Sequence, residues 1–128
     1  MLRMVILVFI GGGVGALVRE LLMMEVRLGF DRFPLDIFTA NVVGSLVLGT
    51  AAGLHSRQRL GDLGNALIGT GFCGGLTTFS SFVYASVVLM AASAQEAVVA
   101  AIYVVASVAI GYLAVRAGQR LGGGIRRA

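Results

Sequence analysis

Apolar residues dominate four long stretches of the chain, and polar residues collect in the short segments between them. The stretches cover residues 4–24, 37–54, 67–90 and 97–115. An α-helix needs about 20 mainly apolar residues to cross the hydrocarbon core of a bilayer, and each stretch is close to that length. The pattern predicts an all-α membrane protein in which residues 1–128 form a single domain of four transmembrane helices.

The third stretch contains a segment that disfavours a continuous helix, GFCGGLTTFSSF (71–82). Its adjacent Gly74 and Gly75 each weaken a helix by about 1 kcal/mol relative to Ala. The two threonines that follow carry hydroxyls that compete for local carbonyls. We therefore expect a break near residues 74–78, in the middle of the membrane. Such a break is tolerated in lipid only where the freed backbone groups are satisfied. The segment is either an ion or substrate site, or a packing notch between helices.

Glycines in the first stretch favour close helix packing. Gly11 and Gly15 lie four residues apart, which is the spacing of small residues that lets two membrane helices approach each other. Because this spacing is common in glycine-rich apolar segments, it predicts a helix contact and no particular ligand.

The composition excludes an ordinary soluble domain. Hydrophobic residues make up 58% of the chain and charged residues 12%, whereas soluble domains carry about 25% charged residues. One Cys and one His are too few for an internal disulfide or a zinc site. They also leave no set of nucleophile, base and orienting acid, so we do not expect an enzyme.

The positive charge predicts how the chain sits in the membrane. All ten basic residues are arginines at or near the ends of the apolar stretches, where lipid headgroups rather than nucleic acid are the expected counter-ions. Seven lie on the side of the amino terminus, the second loop and the tail, and two, Arg27 and Arg32, lie in the first loop. This bias predicts that both termini are cytoplasmic. We expect the basic, glycine-rich tail from Arg116 onward to be frayed.

The polar residues inside the spans are nearly all neutral. Glu20 is the one acid within a span, close to its end, whereas cation and proton carriers usually place carboxylates at mid-depth. Neutral donors without carboxylates favour a small anion as the transported ion. The neutral residues are Asn41, Thr70, Thr77, Thr78, Ser80, Ser81, Tyr84, Ser86, Tyr103 and Ser107.

Individual candidate residues have two interpretations each. Asn41 is either a hydrogen-bonding link between helices or a neutral donor to an anion. Arg19 either extends to the membrane interface or reaches the mouth of an anion pathway, and its neighbour Glu20 should point about 100° away. Phe79 and Phe82 share a helical face, where their ring edges either replace part of an anion's hydration shell or simply pack.

These residues carry a family resemblance. GFCGGLTTFSSF resembles GGLTTFSTF, the typical signature of the bacterial fluoride channels, the Fluc or CrcB family. GGGVGALVR (11–19), TANVVGS (39–45) and YVVAS (103–107) are also similar to that family. The resemblance covers residues 5–115. It implies a passive, fluoride-selective channel in the bacterial inner membrane that exports fluoride and relieves its toxicity. It also implies a dual-topology, antiparallel dimer with two pores.

The resemblance further implies specific site residues. A structural sodium ion that is not transported would sit at the dimer centre, bound by the backbone carbonyls of Gly74 and Thr77. Ser81 replaces the usual Thr of the signature, and Gly111 stands where some members have Ser, so the polar track is thinner here. The implied ion pathway comprises Phe79, Phe82, Asn41, Ser80, Ser81, Thr78, Tyr103, Ser107 and Arg19.

Two questions stay open from sequence alone. The arginine bias conflicts with insertion in both orientations, so the partner is either a second copy of this chain or an oppositely oriented homologue. The competing function is a small dual-topology cation or multidrug exchanger, which would need a mid-membrane carboxylate in the first span. A subunit that assembles without transporting ions is a third alternative.

Overall fold

The computed structural model describes residues 1–25 and 33–123, and these contain helices and no strands. The four helical stretches are each long and apolar enough to cross a membrane, which confirms the expected all-α class. The third stretch is divided into four helical pieces. In chain order the elements are α1 (Leu2–Glu25), α2 (Leu35–Ser56), α3 (Asp62–Asn65), a π-helix (Ala66–Phe72), α4 (Cys73–Leu76), α5 (Phe79–Ala92) and α6 (Ala94–Leu121).

Helix α1 packs against the π-helix and α4 through glycines. A Cβ atom on Gly11 would collide with the Leu67 carbonyl oxygen, and one on Gly15 would collide with the Phe72 carbonyl oxygen. Gly75 of α4 lies equally close to the Gly12 carbonyl of α1. The predicted packing role of Gly11 and Gly15 is confirmed, and their contact is with the π-helix, which the sequence pattern did not predict.

Helices α2 and α6 form a second closely packed pair. A Cβ atom on Gly49 would collide with the Val115 carbonyl oxygen, and one on Gly118 would collide with the Leu46 carbonyl oxygen. Both pairs of helices therefore approach to backbone contact. Such close contact strengthens van der Waals packing in lipid, where no hydrophobic force draws helices together.

Helix α6 is longer than the predicted fourth span. Ser93 alone separates it from α5, and the Ser93 hydroxyl accepts a hydrogen bond from the Glu96 N–H at 3.2 Å as an N-cap. The helix continues to Leu121, so the first part of the tail is helical, contrary to the expectation of fraying from Arg116 onward. The expectation for residues 124–128 lies outside the described residues, as do Arg27 and Arg32 of the first loop.

Candidate functional site

The helical interruption lies at two threonines. Thr77 has φ −81° and ψ 152°, and Thr78 has φ −144° and ψ 110°, so both are extended. Gly74 and Gly75 belong to the helical turn α4 before them. The interruption therefore covers only the end of the predicted 74–78 segment, because the two glycines remain helical and Gly75 is used for close packing against α1.

Asn41 of α2 pairs with the backbone of Thr78. Its Oδ1 accepts a hydrogen bond from the Thr78 N–H at 2.8 Å, and its Nδ2 donates to the Thr78 carbonyl at 3.2 Å. One side chain thus satisfies both polar groups of a residue that has left the helix, as a buried backbone requires. An amide NH₂ has two donors, so this pairing uses only one of them.

The side chain of Thr78 begins the next helix. Its hydroxyl oxygen accepts the Ser81 N–H at 3.2 Å, as an N-cap residue does. The same hydroxyl donates to the Ser81 Oγ at 2.9 Å and lies 3.3 Å from the Ser80 Oγ. Three hydroxyls therefore gather at the amino terminus of α5, where the helix dipole is positive.

In these contacts two backbone N–H groups donate to side chains, so two backbone carbonyls are left without their usual helical donors. In an α-helix a carbonyl accepts from the N–H four residues later. The Thr78 N–H, four residues after Gly74, donates to Asn41, and the Ser81 N–H, four residues after Thr77, donates to the Thr78 hydroxyl. The carbonyls of Gly74 and Thr77 thus lack their usual helical partners. Gly74 is also exposed, with open space where a Cβ would lie.

Arg19 contacts the helix end before the interruption. Its Nη1 donates to the Gly75 carbonyl at 3.2 Å, and its Nη2 lies 3.4 Å from the Glu20 carboxylate. The Arg19 side chain is 27% exposed and that of Glu20 is 64% exposed. Arg19 thus binds a neighbouring helix instead of extending freely to the interface. The expectation that Glu20 points away from Arg19 is wrong, because both side chains are long enough to meet.

A groove of about 370 Å³ opens beside the interruption. It brings together residues of α2, the two extended threonines, the first turn of α5 and the middle of α6. None of the described lining residues is charged. The lining residues are Asn41, Ser45, Leu48, Thr77, Thr78, Phe79, Phe82, Ser107 and Val108.

Aromatic rings connect this groove to the interior of the subunit. The ring centroids of Phe79 and Phe82 are 6.0 Å apart, and those of Phe82 and Tyr103 are 5.3 Å apart. Phe79 is 79% exposed, whereas Tyr103 is fully buried. The buried hydroxyls of Tyr103 and Ser107 have no hydrogen-bond partner within residues 1–25 and 33–123.

The structure gathers most of the predicted site residues but not all of them. Five line the groove together with Thr77, and Ser80 and Ser81 join them through the Thr78 hydroxyl. Tyr103 lies behind Phe82, while Arg19 contacts α4 and does not line the groove. Ser45 and Leu48, at helical spacing from Asn41, could have been included from periodicity. The five predicted lining residues are Asn41, Thr78, Phe79, Phe82 and Ser107.

Comparison with known proteins identifies the family. Residues 6–119 match the family described as CrcB-like protein, Camphor Resistance (CrcB). The chain belongs to the CrcB family. It is 49% identical over 122 residues to the fluoride-specific ion channel FluC 2 of Brucella melitensis, covering 95% of this chain and 45% of that protein. It is 39% identical over 120 residues to FluC 3 of Yersinia pseudotuberculosis, covering 94% of this chain and 89% of that one.

A third relative of this CrcB-family chain is the fluoride-specific ion channel FluC 2 of Rhodococcus jostii, 44% identical over 117 residues, with 91% and 96% of the two chains covered. The chain spans less than half the length of the Brucella relatives that it matches, and nearly the whole length of the Yersinia and Rhodococcus relatives.

Proposed function

We propose that this chain is a subunit of a passive, fluoride-selective channel that exports fluoride and relieves its toxicity. The observation that carries the proposal is the uncharged groove beside the helix interruption, with an amide, hydroxyls and two phenylalanines along it. Its relatives in the CrcB family are named fluoride-specific ion channels. Fluoride is a small, strong hydrogen-bond acceptor, so neutral donors suit it better than carboxylates do.

The ion pathway is proposed to exchange water for protein donors step by step. Asn41 has an N–H beyond the one given to Thr78, and the Ser107 hydroxyl has no partner in the described part of the chain. The amino terminus of the 14-residue α5 adds a positive dipole end. The ring edges of Phe79 and Phe82 carry partial positive charge beside these donors. Together they offset the loss of hydration without binding the ion so tightly that it cannot leave.

A structural sodium ion is proposed at the carbonyls of Gly74 and Thr77. Their helical donors are diverted to Asn41 and Thr78, and freed carbonyls of an interrupted helix are suitable sodium ligands. Bound there, the ion would interact favourably with the partial negative charges of these carbonyl oxygens. It would thereby hold the interrupted segment in one conformation. The exposure of Gly74 and Phe79 in the single subunit supports a site at a contact with a partner.

The proposed assembly is an antiparallel dimer in the bacterial inner membrane, with the helix interruption in the middle of the bilayer. Two copies of this chain inserted in opposite orientations would form a homodimer. A pair with an oppositely oriented homologue is favoured by one feature, the seven arginines on one side against two on the other.

Fluoride efflux from proteoliposomes tests the proposed function. The chain alone, or with an oppositely oriented homologue, should release fluoride to an ion-selective electrode while an equal chloride gradient is retained. The Glu20→Gln variant should behave as the wild type, because Glu20 is exposed and bound to Arg19. A wild type that releases no fluoride but exchanges cations, and loses that exchange in Glu20→Gln, would favour a cation exchanger. Absence of fluoride efflux in both partner contexts would overturn the channel.

Replacement of the groove phenylalanines tests the ion pathway. Phe82→Ile keeps most of the volume but removes the ring edge, so fluoride efflux should fall by about tenfold or more, equivalent to about 1.4 kcal/mol of barrier. Gel filtration should show the same assembly as the wild type. Phe9→Ile on the exposed surface of α1 is the matched control and should leave efflux unchanged. Equal efflux in both variants would reduce Phe82 to a packing residue.

Sodium removal tests the metal site. Replacing sodium with a large organic cation on both sides should stop efflux or dissociate the dimer, because a metal that binds only the assembled state stabilises it. Full fluoride efflux and an unchanged dimer without sodium would contradict the proposed sodium site without contradicting the proposed channel.

A further inference from the structure

Phe33 belongs to an aromatic row that extends well beyond the groove. It lies directly before Pro34 at the start of α2. Its ring centroid is 5.3 Å from that of Tyr103, and the two rings are nearly perpendicular at 87°. Through Tyr103 the row continues to Phe82 and Phe79. The row therefore connects the beginning of α2, the middle of α6 and the first turn of α5.

Tyr103 is the central member of this row and holds an unused donor. Its side chain is fully buried, and its hydroxyl has no hydrogen-bond partner in the described ranges. A buried hydroxyl without a partner is costly, so this hydroxyl is expected to bond to a water molecule or an ion. Two aromatic contacts from different elements, Phe33 and Phe82, limit how the Tyr103 ring can turn.

We propose that Phe33 is a positioning residue of the ion pathway: it fixes the Tyr103 ring so that the Tyr103 hydroxyl and the Phe82 ring stay in place for the anion. This inference rests on the proposed function and concerns the same site. Neither Phe33 nor Tyr103 lines the groove, so Phe33 acts on it through Tyr103 and the groove residue Phe82. The perpendicular arrangement is a favourable geometry for two aromatic rings. A residue from the α1–α2 connection thus controls a donor in α6.

Removing the Phe33 ring tests this role directly. Phe33→Leu should lower fluoride efflux by about fivefold, the loss expected for one aromatic pair, with the same assembly in gel filtration. Phe33→Tyr retains the ring and should restore most of the efflux. Phe9→Leu is the matched control, because Phe9 is exposed on α1 and lies outside the aromatic row. It should change efflux little.

A double variant shows whether Phe33 acts through the Tyr103 hydroxyl. Tyr103→Phe removes that hydroxyl and keeps the ring. In the Tyr103→Phe background, Phe33→Leu should lower the logarithm of the fluoride efflux rate by less than about half as much as it does in the wild type. The reason is that the hydroxyl that Phe33 positions is already absent. Independent, additive losses from the two substitutions would contradict the proposal.

Tyrosine fluorescence gives a readout that does not depend on transport. The chain has no Trp and three Tyr, of which Tyr84 and Tyr112 are exposed and Tyr103 is buried. With Tyr84→Phe and Tyr112→Phe, the remaining emission reports on Tyr103 in detergent micelles. Phe33→Leu should raise the acrylamide quenching constant of Tyr103 at least about twofold relative to Phe9→Leu, because it removes a ring that covers Tyr103.

The outcomes separate the two proposals. Absence of wild-type efflux in every partner context overturns the proposed channel and, with it, a transport role for Phe33, whatever the quenching shows. An active wild type with unchanged efflux in Phe33→Leu overturns the positioning role and leaves the channel standing. Reduced efflux with increased quenching and rescue by Phe33→Tyr supports it.

Discussion

At the scale of single residues, Asn41 stabilises the helix interruption because its amide bonds both the N–H and the carbonyl of Thr78. Asn41→Leu would leave the N–H and the carbonyl of Thr78 without partners, at a cost of about 1–3 kcal/mol for each group. We therefore expect destabilisation of about 2 kcal/mol or more, measured as a lower midpoint of thermal unfolding in detergent micelles. Ser45→Ala in the same groove is the control and should cost less than about 1 kcal/mol. Equal midpoints for the two variants would show that Asn41 does not hold the break.

The chemistry of this residue was predictable and its partner was not. A buried Asn in a membrane span predicts a link between helices or a donor to an ion. The structure places it as a link, and to a backbone 37 residues away instead of to another side chain. No pattern in the sequence pairs Asn41 with Thr78, because that pairing depends on how α2 meets α4 and α5. The same holds for Phe33 and Tyr103, which are joined only by the fold.

At the scale of elements, glycine is required on one face of α1 and replaceable on another. On α1, Gly15 faces the carbonyl of Phe72 and Gly13 faces open space. Gly15→Ala should destabilise the protein by about 1–3 kcal/mol, because the π-helix must move to admit the methyl group. Gly13→Ala should be neutral or stabilising by up to about 1 kcal/mol from helix propensity. Thermal unfolding of the two variants side by side measures the difference, and equal midpoints would contradict the close contact.

The elements themselves were only partly predictable. Adjacent glycines followed by threonines indicated an interrupted third helix, and the helix does end at Thr77–Thr78. The glycines nevertheless stay helical, because Gly75 lies against the α1 backbone at Gly12. The π-helix (Ala66–Phe72) gave no sequence signal, because its residues are apolar or small on every side and a change in helical period displaces no polar face.

At the scale of the whole molecule, charge is separated along the direction of the helices. Because successive spans alternate in direction, the start of α1, the α2–α3 connection and the end of α6 share one end of the bundle. Five of the described arginines lie at that end, with Asp62 as its acid, whereas the opposite end carries most of the acids. The arginines are Arg3, Arg57, Arg59, Arg116 and Arg120, and the opposite end carries Glu20, Asp36 and Glu96 with one described arginine, Arg19, which is paired with Glu20.

This separation predicts that the chain inserts in a single orientation, with its arginine-rich end in the cytoplasm. Cys73 is the sole cysteine and is buried, so a Cys73→Ala background permits single labelling sites. In intact cells, an impermeant maleimide should label Ser93→Cys and should reach Gln58→Cys only after the membrane is permeabilised. A functional antiparallel dimer would then need an oppositely oriented homologue. Equal labelling of both sites in intact cells would contradict the single orientation and support the homodimer, because only a chain inserted both ways presents both loops to the outside.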